Sequence, residues 1–312
     1  MTPDRQLFTG SIGKTLVAAL VLRQVQVGRL DLDAPLLRYL DQVPWVARLP
    51  HAPKITLRHL LNHTAALPEY VELPGIWEEA TRHPDRRWTP AERLAGILDA
   101  PPKGEPGTTF AYADTHYILL GMVLERVTGQ SLEAQEQALL DELNLRETHL
   151  ADRRRLPKLA SGYSALPAFF RMPPKVVRNG LYAFNPQLEW AGGGLASTAA
   201  DLARWGAALY DGRVLEASTL QAMVSHPVRT DFAEGARYGL GVIVWATERG
   251  PAWGHSGFVP GFNAVLQHLP KEGITLALLC NSDTALKAPG RSPHAVAQRL
   301  LKVVRPDTGN AP

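Results

Sequence analysis

The sequence predicts an α+β fold on three observations. Apolar positions recur at helical spacing through residues 11 to 150, β-rich segments separated by short Gly and Pro turns fill 238 to 280, and a further helical stretch closes the chain. Ser11 to Gly28 is apolar on one side and stops at a glycine, the usual C-terminal signal. Thr89-Pro90-Ala91-Glu92 supplies a hydroxyl cap, a proline at the first helical position and an acid three residues after the cap, which starts a helix running to about Leu98. His116 to Gly129, with its Ile118-Leu119-Leu120 and Met122-Val123-Leu124 runs, reads as a largely buried helix, and Ser131 to Leu143 as the next. Residues 151 to 189 turn to Arg, Pro, Gly and aromatics, a long irregular segment of the kind that walls or covers a pocket. After Gly192-Gly193-Gly194 a helix is expected over Thr198 to Leu209. Strands follow over Tyr238 to Thr247, Phe262 to Leu269 and Ile274 to Cys280, and a last helix over Pro293 to Val304. The reading is of one domain, 1–305, with a helical subdomain at about 30–190 set into an α/β part formed by 1–29 and 191–305, and a tail at 306–312.

Composition excludes several classes of function. Across 312 residues, 33 Lys and Arg stand against 30 Asp and Glu, a net charge of +3, and the longest basic block is Arg153-Arg154-Arg155. That is no footprint for a phosphate backbone, so nucleic acid is not expected as a partner. The longest apolar run near the start, Leu16 to Leu22, is far short of the roughly 20 residues a membrane span requires. Met1 to Leu7 lacks a basic stretch followed by an apolar core, which places the chain as written in the cytoplasm. An upstream extension would open the periplasm or the exterior instead. The single cysteine, Cys280, excludes an internal disulfide, and oligomeric state is left open.

Phe8-Thr9-Gly10-Ser11-Ile12-Gly13-Lys14-Thr15 has two readings. As a phosphate loop it has the Gly-Lys-Thr ending, but Phe8 stands where the first glycine must turn the backbone, and Met1 to Leu7 is too short and polar for the buried strand before it. As Ser-x-x-Lys, the i, i+3 spacing sets Ser11 and Lys14 on one helix face, about 5 to 6 Å apart at Cβ. Ser11 then lies at the positive helix end, which stabilises a developing anion. A lysine kept from water beside another cation loses basicity and can move protons at neutral pH. Two further groups match in chain order: Tyr112-Ala113-Asp114 ahead of the buried helix, and His255-Ser256-Gly257 ahead of a Pro260-Gly261 turn.

Ser-x-x-Lys, Tyr-x-Asn or a variant, and Lys- or His-x-Gly in that order are the motifs of the serine β-lactamase and penicillin-binding-protein superfamily, which this sequence resembles. Four blocks are similar to its class C branch: Ile55 to Thr64, Pro106 to Gly121, Ala191 to Asp201 and Trp253 to Gly261. That branch holds class C β-lactamases, D-alanyl-D-alanine carboxypeptidases, D-amino-acid peptidases and esterases. The resemblance implies a β-lactamase/transpeptidase-like fold, an antiparallel sheet flanked by helices with a helical subdomain inserted and the active site between them. It implies a serine hydrolase that cleaves an ester, a D-amino-acid peptide or a β-lactam without metal or organic cofactor. Ser11 is then the acylated nucleophile, Lys14 its proton-transfer partner and Tyr112 the general base, its phenol shifted toward phenolate by Lys14. Backbone N–H groups of Ser11 and Phe258 match the oxyanion hole, with Asp114, His255, Ser256 and Gly257 lining the substrate site.

Three departures carry their own expectations. Asp114 replaces the usual Asn, an amide exchanged for an acid that only accepts when ionised. His255 replaces the lysine of the lactamases and removes a permanent cation for a carboxylate. Only ten residues precede Ser11 where relatives carry several tens, which implies a misplaced start or a natural truncation, leaves Ile274 to Cys280 without its strand neighbours, and admits a catalytically impaired penicillin-recognising or scaffold protein as the alternative. Two other patterns fail on their neighbours. His59 and His63 have the i, i+4 spacing of a zinc pair on a helix, but Leu60 takes the place of the glutamate. Gly254-His255-Ser256-Gly257, with Asp283 and His294 after it, follows the order of a nucleophile elbow, but Phe258 and Pro260 forbid the elbow's turn and helix.

Overall fold

Two-residue turns fold the C-terminal third into an antiparallel meander. The computed structural model describes residues 1–166, 170–230, 235–283 and 292–304, and the expected tail at 306–312 lies outside them. Glu248-Arg249 joins Ile243–Thr247 to Gly250–Val259, and Pro260-Gly261 joins the latter to Phe262–Leu269. Gly261 has φ +87°, the value that the third residue of a Pro-Gly type II turn requires. With Val228–Arg229 and Ala236–Tyr238 before them and Ile274–Cys280 after, these make a six-stranded sheet whose strands neighbour one another in chain order. Ile274–Cys280 is an edge strand, each residue partly exposed.

Alternation along Phe262–Leu269 covers both faces of the sheet. Leu266 meets the Ala199–Tyr210 helix, where a Cβ on Gly206 would lie 2.7 Å from its Cδ1, so the close packing depends on glycine. Gln267 faces the Pro293–Val303 helix, bonded to His294 at 2.7 Å and Gln298 at 2.9 Å. The expected cap Thr89 forms the full capping box with Glu92, and Ser131, Thr198 and Ser292 likewise each accept from a backbone N–H of the first turn of their helices.

Two expectations need correction. Tyr238 to Thr247 is not one strand: the chain reverses at Gly239 to Val242, where Gly239 N–H bonds Val242 O at 2.8 Å, and Ile243 returns antiparallel beside Tyr238. Gly241, at φ +76°, touches the helix that begins behind Ser11 so closely that a Cβ would sit 2.3 Å from Ala18 Cβ. The longest strand, Gly250–Val259, carries the His255-Ser256-Gly257 motif as the resemblance implies but lies outside the expected β-rich segments, since its Gly and Pro residues argue against a strand.

The Gly13–Gln26 helix is the centre of the molecule. Residues Gly13 to Leu22 are buried without a break, the pattern of a helix enclosed on all sides. Ser11 precedes it in a 3₁₀ turn, Gly10–Ile12. A three-stranded sheet of Leu7–Phe8, Leu195–Ser197 and His149–Leu150 anchors that turn through Thr9 N–H to Leu195 O at 3.0 Å. Beside it packs the Asp114–Thr128 helix, which ends at Gly129 in the left-handed conformation. Within the irregular segment, Val177–Arg178 and Leu181–Tyr182 form a small hairpin. Asp283, buried, ties this segment to the sheet by accepting from Ser164 Oγ at 2.6 Å, Ala165 N at 2.8 Å and Gly261 N at 3.0 Å.

Replacing Asp283 with Ala strands these donors. A loss of about 3 kcal/mol is expected, the scale of charge-assisted hydrogen bonds removed from a buried setting, read from the urea midpoint at unchanged slope.

Candidate active site

Two backbones meet at van der Waals distance where the Ser11 turn stands beside the Gly250–Val259 strand. A Cβ on Gly257 would lie 1.8 Å from Thr9 O, and one on Gly10, at φ +52°, 2.6 Å from Phe258 N. No other residue fits at either position. Ile243–Thr247 pairs with this strand only as far as Gly254, so His255 to Val259 has no strand on that side among the described residues. Val259 and Phe262 close a two-residue hairpin, and antiparallel alternation then turns the N–H and C=O of Ser256 and Phe258 to the unpaired side. A cleft of about 380 Å³ opens there, lined by Ser11, Tyr112, Trp245, Ser256 and Phe258.

Lys14 is fully buried beneath Ser11. Its three N–H groups are shared among four acceptors, Ser11 Oγ at 3.0 Å, Asp114 Oδ1, the Gly192 carbonyl and the phenol of Tyr112, which itself reaches Ser11. The structure thus brings Ser11, Lys14, Tyr112 and Asp114 together, with Gly257 and Phe258 on the other side of Ser11. The expected proton states are overturned. Burial alone would lower the Lys14 pKa, but Asp114 and then Tyr112 more than offset it, and the ammonium persists above its ordinary range. Burial pushes the Tyr112 phenol up to about 12, since Lys14 counters only part of that effect and Asp114 adds to it. The unliganded site therefore holds a neutral phenol beside an ammonium rather than a phenolate beside a weakened lysine.

His255 is among the residues that line the cleft, buried at its wall with its ring 6.3 Å from that of Tyr112. Its Nδ1–H donates to Ser256 O at 2.5 Å and its Nε2 accepts from Tyr238 Oη at 2.8 Å, which fixes a neutral tautomer. Burial, with Lys14 second, pushes its pKa down to about 3. The side chain of Ser256 is exposed, and that of Phe258, 38% exposed, lies with its ring 5.7 Å from that of Phe170. Two acids that no motif announces also belong here. Glu69 accepts the Asp114 N–H at 2.5 Å, and a Cβ on Gly193 would lie 3.0 Å from Glu189 Oε2. Burial first and Asp114 second push both carboxyls up to about 8. Neither has a spacing that sequence could flag, because tertiary packing alone gathers them.

The remaining patterns come apart. His59 lies in the Leu57–Leu61 helix in a capping box with Thr56, whereas His63 lies beyond it at φ +57° and pairs with His116. Asp283 and His294 have the partners given above, and Ser256 lies within a strand rather than at an elbow.

A Ser-x-x-Lys site between an antiparallel sheet and a helical region defines the β-lactamase/transpeptidase fold. The Beta-lactamase family model matches residues 1–301, and the chain belongs to that family. Penicillin-binding protein 4* of Bacillus subtilis (strain 168) is 26% identical over 91% of this chain, which spans 63% of that relative's length. The esterase EstB of Burkholderia gladioli is 34% identical over 45% of this chain and 37% of its own. Among solved structures, the D-stereospecific amidohydrolase from Streptomyces sp. superposes with a TM-score of 0.82 at 29% identity, covering 99% of this chain and 88% of its own. The family thus brings together serine hydrolases acting on esters and on amides. No helix among the described residues is long and apolar enough to cross a membrane.

Asp114 raises both Lys14 and Tyr112, so removing its charge lowers both. In Asp114→Asn the rate at which a fluorophosphonate labels Ser11, plotted against pH, is expected to keep its alkaline rise but at lower pH than in the parent. An unmoved profile would show that Asp114 does not set the site's basicity.

Proposed function

We propose that the chain hydrolyses amide or ester bonds through an acyl-enzyme on Ser11, in the manner of D-amino-acid amidases, peptidases and esterases rather than of lactamases. The observation that supports this most directly is the buried Lys14 ammonium bonded at once to Ser11 and Tyr112 beside the unpaired half of the Gly250–Val259 strand. An extended substrate chain pairs with that edge and sets its carbonyl oxygen between the N–H groups of Ser11 and Phe258, donors placed before the charge develops.

The proton path follows from the neutral phenol. As Ser11 Oγ attacks the carbonyl carbon, its proton passes to Tyr112 Oη, and Tyr112 gives its own proton to the departing nitrogen or oxygen. The phenol ends neutral, and the leaving group departs protonated. Water then attacks the acyl carbon, Tyr112 takes one water proton and returns its own to Ser11 Oγ, and the acid is released. Lys14, held as ammonium by Asp114, stabilises negative charge on both oxygens throughout and gives up no proton.

Charge favours substrates without a carboxylate next to the scissile bond. Lys14 is matched by Asp114, and His255, at the cleft wall but neutral, adds no cation. The Ser11 and Phe258 donors are equally suited to ester and amide carbonyls.

Ser11→Ala is expected to abolish turnover of a p-nitrophenyl ester, and mass spectrometry of the parent with a slow substrate should find the acyl group on Ser11. Tyr112→Phe should lower kcat by about 10²-fold or more, the size of a lost acid–base group, with a smaller effect on KM. A Ser11→Ala protein as active as the parent would refute the acyl-enzyme. Efficient nitrocefin hydrolysis, faster than that of short esters or D-amino-acid amides, would refute the preference.

A further inference from the structure

We infer that His63, steadied by His116, is the positioning residue for Tyr112, an inference that rests on the role proposed above for that phenol. His63 holds the tyrosine from three sides. Its backbone carbonyl accepts the N–H of Ala111 at 2.8 Å, and its Nδ1 accepts the N–H of Ala113 at 3.2 Å, so both neighbours of Tyr112 hang from one residue. Its ring lies against the phenol ring, centroids 4.1 Å apart and planes inclined by 36°. The left-handed backbone of His63, φ +57°, allows carbonyl and imidazole to address the same strand of chain.

The tautomers follow from the donors. Because Ala113 N–H gives its proton to His63 Nδ1, that nitrogen is an acceptor, and His116 Nδ1, 2.9 Å away, must be the donor. His116 sits in the first turn of the helix that Tyr112 introduces, its own N–H bonded to Ala113 O at 3.3 Å. The pair therefore clamps the turn that carries Tyr112 to the start of that helix. Both imidazoles are wholly buried, and Nε2 of each meets no hydrogen-bond partner among the described residues. Burial keeps both neutral, His116 with its pKa pushed down to about 3. Two unsatisfied ring nitrogens in a core of tyrosines are costly where a leucine would pack without loss, and holding Ala113 accounts for their presence.

Two substitutions separate the hydrogen bond from the packing. His63→Phe keeps a ring against Tyr112 and removes the acceptor. His63→Asn removes the ring but keeps an oxygen where Nδ1 stands, on a residue that tolerates the left-handed backbone. With the p-nitrophenyl ester, His63→Phe is expected to lose about 10-fold or more in kcat with KM within about twofold, while His63→Asn stays within about threefold of the parent. In the Tyr112→Phe background the His63→Phe change should cost nothing further, because a misplaced phenol that is already absent cannot be lost again. Melting curves accompany each variant, and if His63→Phe does not fold, His63→Asn decides alone: near-parent kcat supports the inference and a 10-fold loss overturns it. Full additivity of His63→Phe and Tyr112→Phe, with Tyr112→Phe itself impaired, overturns the positioning role while leaving Tyr112 in the mechanism. Near-parent turnover by Tyr112→Phe removes the phenol from the mechanism and this role with it.

Discussion

The rest of the site depends on keeping one ammonium ion away from water. Lys14 is wholly enclosed, and an enclosed cation is tolerated only where acceptors surround it. Those acceptors come from three distant parts of the chain: Ser11 one turn earlier, Asp114 100 residues on and the Gly192 carbonyl 178 residues on. Satisfying the charge is therefore the same event as bringing the central helix, the Tyr112 turn and the glycine-rich crossover together. A fold that failed to close here would leave a desolvated ion unpaired, so the geometry around Ser11 is enforced by the stability of the whole.

That enforcement extends outward through polar groups in the core. Arg93, buried, donates to the carbonyls of Leu188 and Gln187, and Tyr70 donates to Leu188 O at 2.7 Å, so the segment leading to Gly192 is gripped from the helical side. On the sheet side, Tyr238 donates to His255, which fixes the residue before Ser256. The groups around Ser11 thus sit on a frame of buried hydrogen bonds, which is what keeps their spacing constant.

Much of this is legible in the sequence, and what is not has identifiable causes. Helix starts at Thr89, Ser131, Thr198 and Ser292 are readable because capping is a local interaction. Ser11, Lys14 and Tyr112 are readable because their chemistry needs fixed residue types in a fixed order. The Gly250–Val259 strand is hidden by Gly254 and Gly257, whose missing side chains serve contacts with the neighbouring strand and the Ser11 turn rather than strand propensity. The proton states escape a reading of the sequence because their sign turns on which charge lies nearest Lys14, and that neighbour is the carboxylate of Asp114. Glu69 and Glu189 carry no spacing at all, and the spacing that His63 does carry points to His59 rather than to Tyr112, since only the packed core brings these groups to the site.

The hairpin turn from Gly239 to Val242 acts as an aperture stop. Because Ile243 is the first residue paired after the turn over Ala18, the length of one short strand decides how much of its neighbour is left without a strand on that side among the described residues. Moving that turn by a strand's two-residue repeat would widen or seal the opening without altering any group that touches Ser11. For the hydrolase proposed above, breadth of ligand choice and chemical competence would then rest on separate parts of the chain, and a lineage could vary the first while the second stays fixed.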